Sequence, residues 1–270
     1  NFLTCHDGFT LCDLYSYNQK HNEANGWNNT DGCDDNHSWN CGEEGETSNP
    51  EILRLRLKMM QNACALLMTA GYTNVLSGDE FADTDLATTI HTVQDNEISW
   101  LDWSLLSKNQ ALFAFFQYMI AFRKQHPSIR RDLEPSYTSY PSMSSHRLTP
   151  EPPVPSSDSH TACVIFSGFD EKTGQEDLVF LAVNAHWIAK QLVLPSLPNG
   201  YVWKIAVIPG LAASDISGND MPTAGQTVLL GERSVIVFAG MKQAETASYE
   251  TVSAWLHSEF LIFPLQRLLL

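Results

Sequence analysis

The stretch Asn1-Phe2-Leu3-Thr4-Cys5-His6-Asp7-Gly8-Phe9-Thr10-Leu11 decides how the architecture is read. Apolar and β-prone residues run straight into an adjacent His and Asp, and a Gly and a second apolar run follow. This pattern predicts a short strand whose polar end faces a cleft, as strand ends do at the working face of a (β/α)8 barrel. Core burial cannot compensate charged groups at such a position. A His-Asp pair by itself also fits a buried His oriented by its neighbour, or a solvated turn.

Downstream, residues 9–17 read as one short helical turn, and residues 18–50 turn abruptly to Asn, Asp, Gly, Glu and Ser. A loop of that length inside a compact domain is functional or disordered. Trp27 and Trp39 argue for order, and they serve either to stack on sugar rings or to anchor the loop. Cys33, His37 and Cys41 recur at four-residue spacing but lack the second close pair of a zinc site, and Asp31, Asp34 and Asp35 do not follow the alternating calcium-loop pattern, so no metal is expected. Asn49-Pro50-Glu51 then starts a helix with a cap, a first-turn Pro and an acid, and Gly71 ends it. Arg54, Arg56, Lys58 and Gln61 are expected on its wet side. Residues 72–76 read as a strand delivering Asp79 and Glu80 to its end as a second carboxylate pair. A second helix is expected over 105–126, with Trp100 and Trp103 packed against it.

Four segments together carry a resemblance. These are His6-Asp7-Gly8-Phe9-Thr10-Leu11, Ser16-Tyr17-Asn18-Gln19-Lys20-His21-Asn22-Glu23-Ala24-Asn25-Gly26, Asn36-His37-Ser38-Trp39-Asn40-Cys41-Gly42 and Gln94-Asp95-Asn96-Glu97-Ile98-Ser99-Trp100. In this order they resemble the isoamylase and glycogen-debranching branch of the alpha-amylase family. The resemblance implies the C-terminal part of a (β/α)8 TIM barrel followed by an antiparallel β-sandwich domain, an α/β plus all-β architecture. It implies hydrolysis of α-1,6 branch linkages, with Asp7 as transition-state stabiliser and His6 as substrate-binding residue. The nucleophile and general acid of that family have no counterpart in these residues, so the segment alone is expected to be inactive. The alternative is a non-catalytic α-glucan-binding or scaffold subunit. The resemblance also leaves Asp79 and Glu80 out of the catalytic set and assigns them to bonding the loop framework. Where the family continues with Gly-Arg-Thr and an Asn-rich loop, this chain has Ala82-Asp83-Thr84-Asp85 and Ala87-Thr88-Thr89-Ile90.

Residues 132–160 are rich in Pro and Ser and read as a linker or irregular cover between a barrel part over 1–131 and a β-rich domain over 161–240. Six strands are expected there, over 161–166, 177–184, 191–195, 201–208, 226–230 and 233–238. Residues 241–270 fit none of this. Their apolar run is too short to span a bilayer, and capping helix, partner contact and foreign sequence all stay open.

With 43% hydrophobic and 17% charged residues, the 270-residue chain has the balance of a folded globular protein. A formal net charge of −15 opposes nucleic-acid and anionic-membrane partners and is compatible with a neutral polyhydroxyl one. The resemblance implies that this partner is an α-glucan such as glycogen, amylopectin or limit dextrin. No cofactor is expected. The six cysteines are read as reduced and the protein as cytoplasmic, any targeting segment lying upstream of Asn1.

Overall fold

The computed structural model describes residues 1–69, 71–90, 93–130, 133–138, 140–149, 160–210 and 225–242. Most of the 241–270 tail therefore lies outside the described residues.

Among the described residues, four α-helices precede seven strands. They are α1 (Leu11–Leu14), α2 (Pro50–Met68), α3 (Ser104–Lys108) and α4 (Gln110–Gln125). The strands are β1 (Met143–His146), β2 (Thr161–Asp170), β3 (Gln175–Asn184), β4 (Lys190–Val193), β5 (Tyr201–Val207), β6 (Thr227–Leu230) and β7 (Ser234–Lys242). Helix α2 starts where its cap signals put it, with the Asn49 side chain accepting from Glu51 N. Its far end is closed by a neighbour. Arg123 of α4 donates to the carbonyls of Met68, at 2.9 Å, and of Gly71, placing a cation at the negative helix end. The single helix expected over 105–126 is broken at Asn109, whose side-chain amide turns aside to donate to Phe81 O at 2.9 Å. Trp100 and Trp103, expected against this helix, are instead 58% and 64% exposed.

The two strands expected over 1–5 and 72–76 are extended but do not form a ladder. Asn1 N donates to Tyr72 O at 2.7 Å and Asn74 N to Asn1 O at 2.9 Å. That is the bond pattern of one parallel pair, and it goes no further. Parallel strands hold when both faces are covered, and here Phe2, Leu3, Tyr72 and Val75 are exposed.

Strands order as β1-β2-β3-β7-β5 in one antiparallel sheet, with β4-β6 as a separate two-stranded ribbon. All six expected strands are present, and β1 is an addition inside the stretch read as linker. Period-two alternation buries the sheet on both faces. Phe166, Val179, Leu181, Val235 and Val237 join the core formed with Met60, Cys64, Leu112, Phe116 and Met119 of α2 and α4. Ile165, Leu178, Phe180, Trp203 and Phe238 face the other way, onto Leu192, Leu194 and Leu230 of the β4–β6 region. Polar bonds bolt helices to strands. Asn62 donates to Arg233 O (2.8 Å) and accepts from Val235 N (3.1 Å), Gln61 accepts from Gly210 N (2.7 Å), and Asp177 takes His126 Nδ1 (2.7 Å) and Ser128 N (2.8 Å).

Phe180 is fully buried among Trp203 and Phe238. Phe180→Ala is expected to lower unfolding free energy by about 3–5 kcal/mol in urea denaturation, against about 1 kcal/mol for Asn49→Ala at the α2 cap.

Candidate active site

His6 and Asp7 lie in a turn just before α1, with His6 Nε2 3.2 Å from Asp7 Oδ1 and both side chains more than two-thirds exposed. They are therefore open to a ligand, and the order of this turn comes from beneath. Asp79, 3% exposed, accepts from Thr4 Oγ1 through one oxygen and from Leu11 N at 2.8 Å through the other. One carboxylate thus staples the residues on both sides of the His-Asp pair. Thr10 caps α1 by accepting from Asp13 N at 3.1 Å and donates to Asp83 O at 2.9 Å. The Asp79 framework role expected from the sequence is what these bonds perform. Gly78 makes the turn that presents it: its φ is +100°, and a Cβ there would lie 2.7 Å from Asp83 Cβ.

The same seam holds three more buried carboxyls, Asp13, Asp83 and Asp85. Asp13 accepts from Thr84 Oγ1 at 2.5 Å and from Asp85 N at 3.0 Å. Burial pushes Asp13 up to about 6 against the pull of those bonds. It pushes Asp79 up to about 6, and Asp85 up to about 7 with the neighbouring Asp13, Asp83 and Asp79 adding to the rise. Three non-glycine residues of this segment, Ala82, Leu86 and Ala87, adopt left-handed backbone.

The long loop is ordered by buried polar residues that sequence reasoning passed over. Lys20, 5% exposed, donates to Asp31 O at 2.7 Å and pairs with Asp34 at 2.7 Å. Asn22, fully buried, donates to Asp31 O (2.9 Å) and Thr89 Oγ1 (2.8 Å) and accepts from Thr89 N (2.8 Å). Asn25 accepts from Gln94 Nε2 at 2.7 Å, so two of the motifs read separately in the sequence meet in space. Arg56 and Gln61, expected on the wet side of α2, are both 6% exposed, because each satisfies backbone groups that packing has removed from water. Glu44 closes the loop base, accepting from Asn18 N at 2.9 Å and Asn40 Nδ2 at 2.9 Å. Trp39 packs under the Arg233 guanidinium at 4.9 Å, while Trp27 is 68% exposed. Cys33 is exposed and Cys41 buried, and no group of three His, Cys, Asp or Glu among the described residues is placed to hold a metal ion.

No family model matches the chain. It is 52% identical over 132 residues to a protein of Mycobacterium tuberculosis named glycogen operon protein GlgX homolog, covering 48% of this chain and 18% of that protein. It is 35% identical over 240 residues to isoamylase 3, chloroplastic, of Oryza sativa subsp. japonica, covering 88% of this chain and 29% of the relative. The chain belongs to the isoamylase and glycogen-debranching branch of the alpha-amylase family. It spans less than a third of the length of these relatives. Among solved structures, a pullulanase from Paenibacillus barengoltzii crystallised with maltohexaose and alpha-cyclodextrin matches with a TM-score of 0.54 at 21% identity, over 88% of this chain and 29% of that one. A pullulanase from Bacillus acidopullulyticus matches with a TM-score of 0.52 at 17% identity, over 88% and 24%. At those identities the likeness concerns fold alone, and that fold is of the alpha-amylase type. No helix among the described residues is long and apolar enough to cross a membrane.

The carboxyl seam has a pH signature. Folded values near 6 to 7 lie above the unfolded value of ~3.9, so the folded chain binds more protons. The stability this confers is complete below the unfolded value and is lost as pH rises towards the folded values. Asp85→Asn imitates the protonated group, so the fall in the urea midpoint between pH ~4 and ~7 is expected to be shallower in the variant than in the parent chain.

Proposed function

We propose that the protein carrying this chain hydrolyses α-1,6-glucosidic branch linkages of glycogen or a related α-glucan. The observation that supports this most is the open His6–Asp7 pair, stapled from below by Asp79, in a chain of the debranching branch. Hydrolysis with retention takes a nucleophilic carboxylate and a separate acid/base carboxylate about 5 Å apart. Asp7 takes neither role. It holds sugar hydroxyls whose hydrogen bonds strengthen as the ring flattens towards an oxocarbenium ion, and such contacts favour the transition state over the ground state. His6 binds the same ring. The nucleophile and general acid belong to a part of the protein outside these residues, and the segment alone is inactive.

The structural side of the proposal is the end of a (β/α)8 barrel over 1–131, an irregular cover over 132–160, a β-sandwich over 161–240 and an unassigned tail over 241–270. The α-glucan partner, whether glycogen, amylopectin or limit dextrin, fits the −15 net charge and the exposed Trp27, Trp100 and Trp103. It also fits the maltohexaose and alpha-cyclodextrin held by the related Paenibacillus pullulanase. Cytoplasmic location and the absence of nucleic-acid or membrane partners complete the proposal.

A non-catalytic glucan-binding subunit is the second reading, given room by the loop after Glu80, where Ala82-Asp83-Thr84-Asp85 replaces the family's pattern. One experiment separates them. In the full-length protein, Asp7→Asn is expected to lower release of reducing ends from glycogen about 100- to 1,000-fold with unchanged circular dichroism. Unchanged turnover removes Asp7 from the chemistry. A parent protein that binds maltohexaose yet releases no reducing ends is the binding subunit.

A further inference from the structure

Arg56 projects from the middle of α2 into the base of the long loop, where its guanidinium meets backbone carbonyls from both arms of that loop. It donates to Gly45 O at 2.7 Å, Asn40 O at 3.2 Å, Ser16 O at 3.5 Å and Glu43 O. Around it the arms bond each other. Gly45 N donates to Ser16 O at 2.7 Å, Trp39 N to Leu14 O at 2.8 Å, and Asn40 N to Asn18 Oδ1 at 2.9 Å. Gly45 is left-handed at φ +73°, with the Tyr17 ring in ordinary contact range of the position a Cβ would take. A rigid planar cation with five donors suits several carbonyls at once in a way that an ammonium does not. With Arg56 6% exposed, removing it takes a donor from the part-buried carbonyls of Asn40, Glu43 and Gly45, while Ser16 O keeps its bond from Gly45 N.

The lobe beyond this base carries Lys20, Asn22, Trp27 and the contact from Asn25 to Gln94, and it leaves the base just after α1, which follows the His6–Asp7 turn. The turn itself is held separately, by Asp79 on Thr4 and Leu11. The loop base and the turn therefore have separate supports.

We infer that Arg56 is a positioning residue for substrate, setting from α2 the posture of the loop over residues 18–50 that selects the branched α-glucan, while the His6–Asp7 turn keeps its own support. This rests on the debranching proposal above. It assigns specificity to a helix residue that touches no sugar.

The test uses Arg56→Ala and the conservative Arg56→Lys in the full-length protein. For Arg56→Ala, KM for a glycogen limit dextrin is expected to rise about 10- to 100-fold with kcat held within a few-fold, because binding is disturbed and the turn is not. Low-millimolar ethylguanidinium restores KM, and Arg56→Lys falls between parent and alanine variant. Cleavage by a Glu-specific protease after Glu43, Glu44 or Glu46 speeds up in Arg56→Ala and slows again with ethylguanidinium. Faster cleavage with KM unchanged overturns the inference. So does a joint fall of KM-independent turnover and thermal stability that ethylguanidinium does not restore, which marks a general fold role. If Arg56→Ala does not fold, the same readings on Arg56→Lys decide. An inactive parent that also binds no maltohexaose sinks the debranching proposal instead, and the protease rates then decide the clamp alone.

Discussion

Everything near the candidate site depends on the buried carboxylate of Asp79. Its two oxygens hold Thr4 on one side of the His-Asp turn and Leu11 N, the first amide of α1, on the other. A buried acid is costly unless hydrogen bonds satisfy it, and here the satisfying groups are those that fix the turn. The left-handed Gly78 and the Asn109 amide on Phe81 O fix the segment that carries Asp79 in turn. The His6–Asp7 pair can stay exposed and still be ordered, because the ordering is done one layer below it.

A second support is shared between helices and sheet. Strands β2, β3 and β7 present one set of alternating residues to α2 and α4 and the other set to the β4–β6 region, so the sheet has no wet face at its centre. Helix α2 is the hub. Its apolar face enters the core, Gln61 and Asn62 bond the strand region, and Arg56 reaches the loop at the other side. One helix thereby sets the sheet, the loop base and, through Arg123 at its end, the neighbouring helix.

Part of this was legible in residue order. The Asn49-Pro50-Glu51 start and Gly71 stop of α2 and the six alternating strand segments follow from capping, period and punctuation, which are local properties. What escaped was non-local. Arg56 and Gln61 sit at positions that read as solvent-facing along a helix, and only the arrival of the loop and of Gly210 buries them. Strand β1 hid among prolines and serines because an edge strand needs a partner more than it needs a pattern. Segments 1–5 and 72–76 erred the other way. Their composition is that of strands, but one parallel pair of bonds with exposed Phe2 and Val75 does not make a ladder.

The sequence by itself determined the family motifs, the limits of α2 and the adjacency of His6 and Asp7, because these are written in short-range order. The tertiary structure alone decided that Asp79 staples their turn, that Asn25 meets Gln94, and that Arg56 holds the loop base. Each of those contacts joins residues between 11 and 75 positions apart. Whether a polar side chain at such a distance finds a backbone partner or water depends on which surfaces packing has brought together, and no local pattern records that.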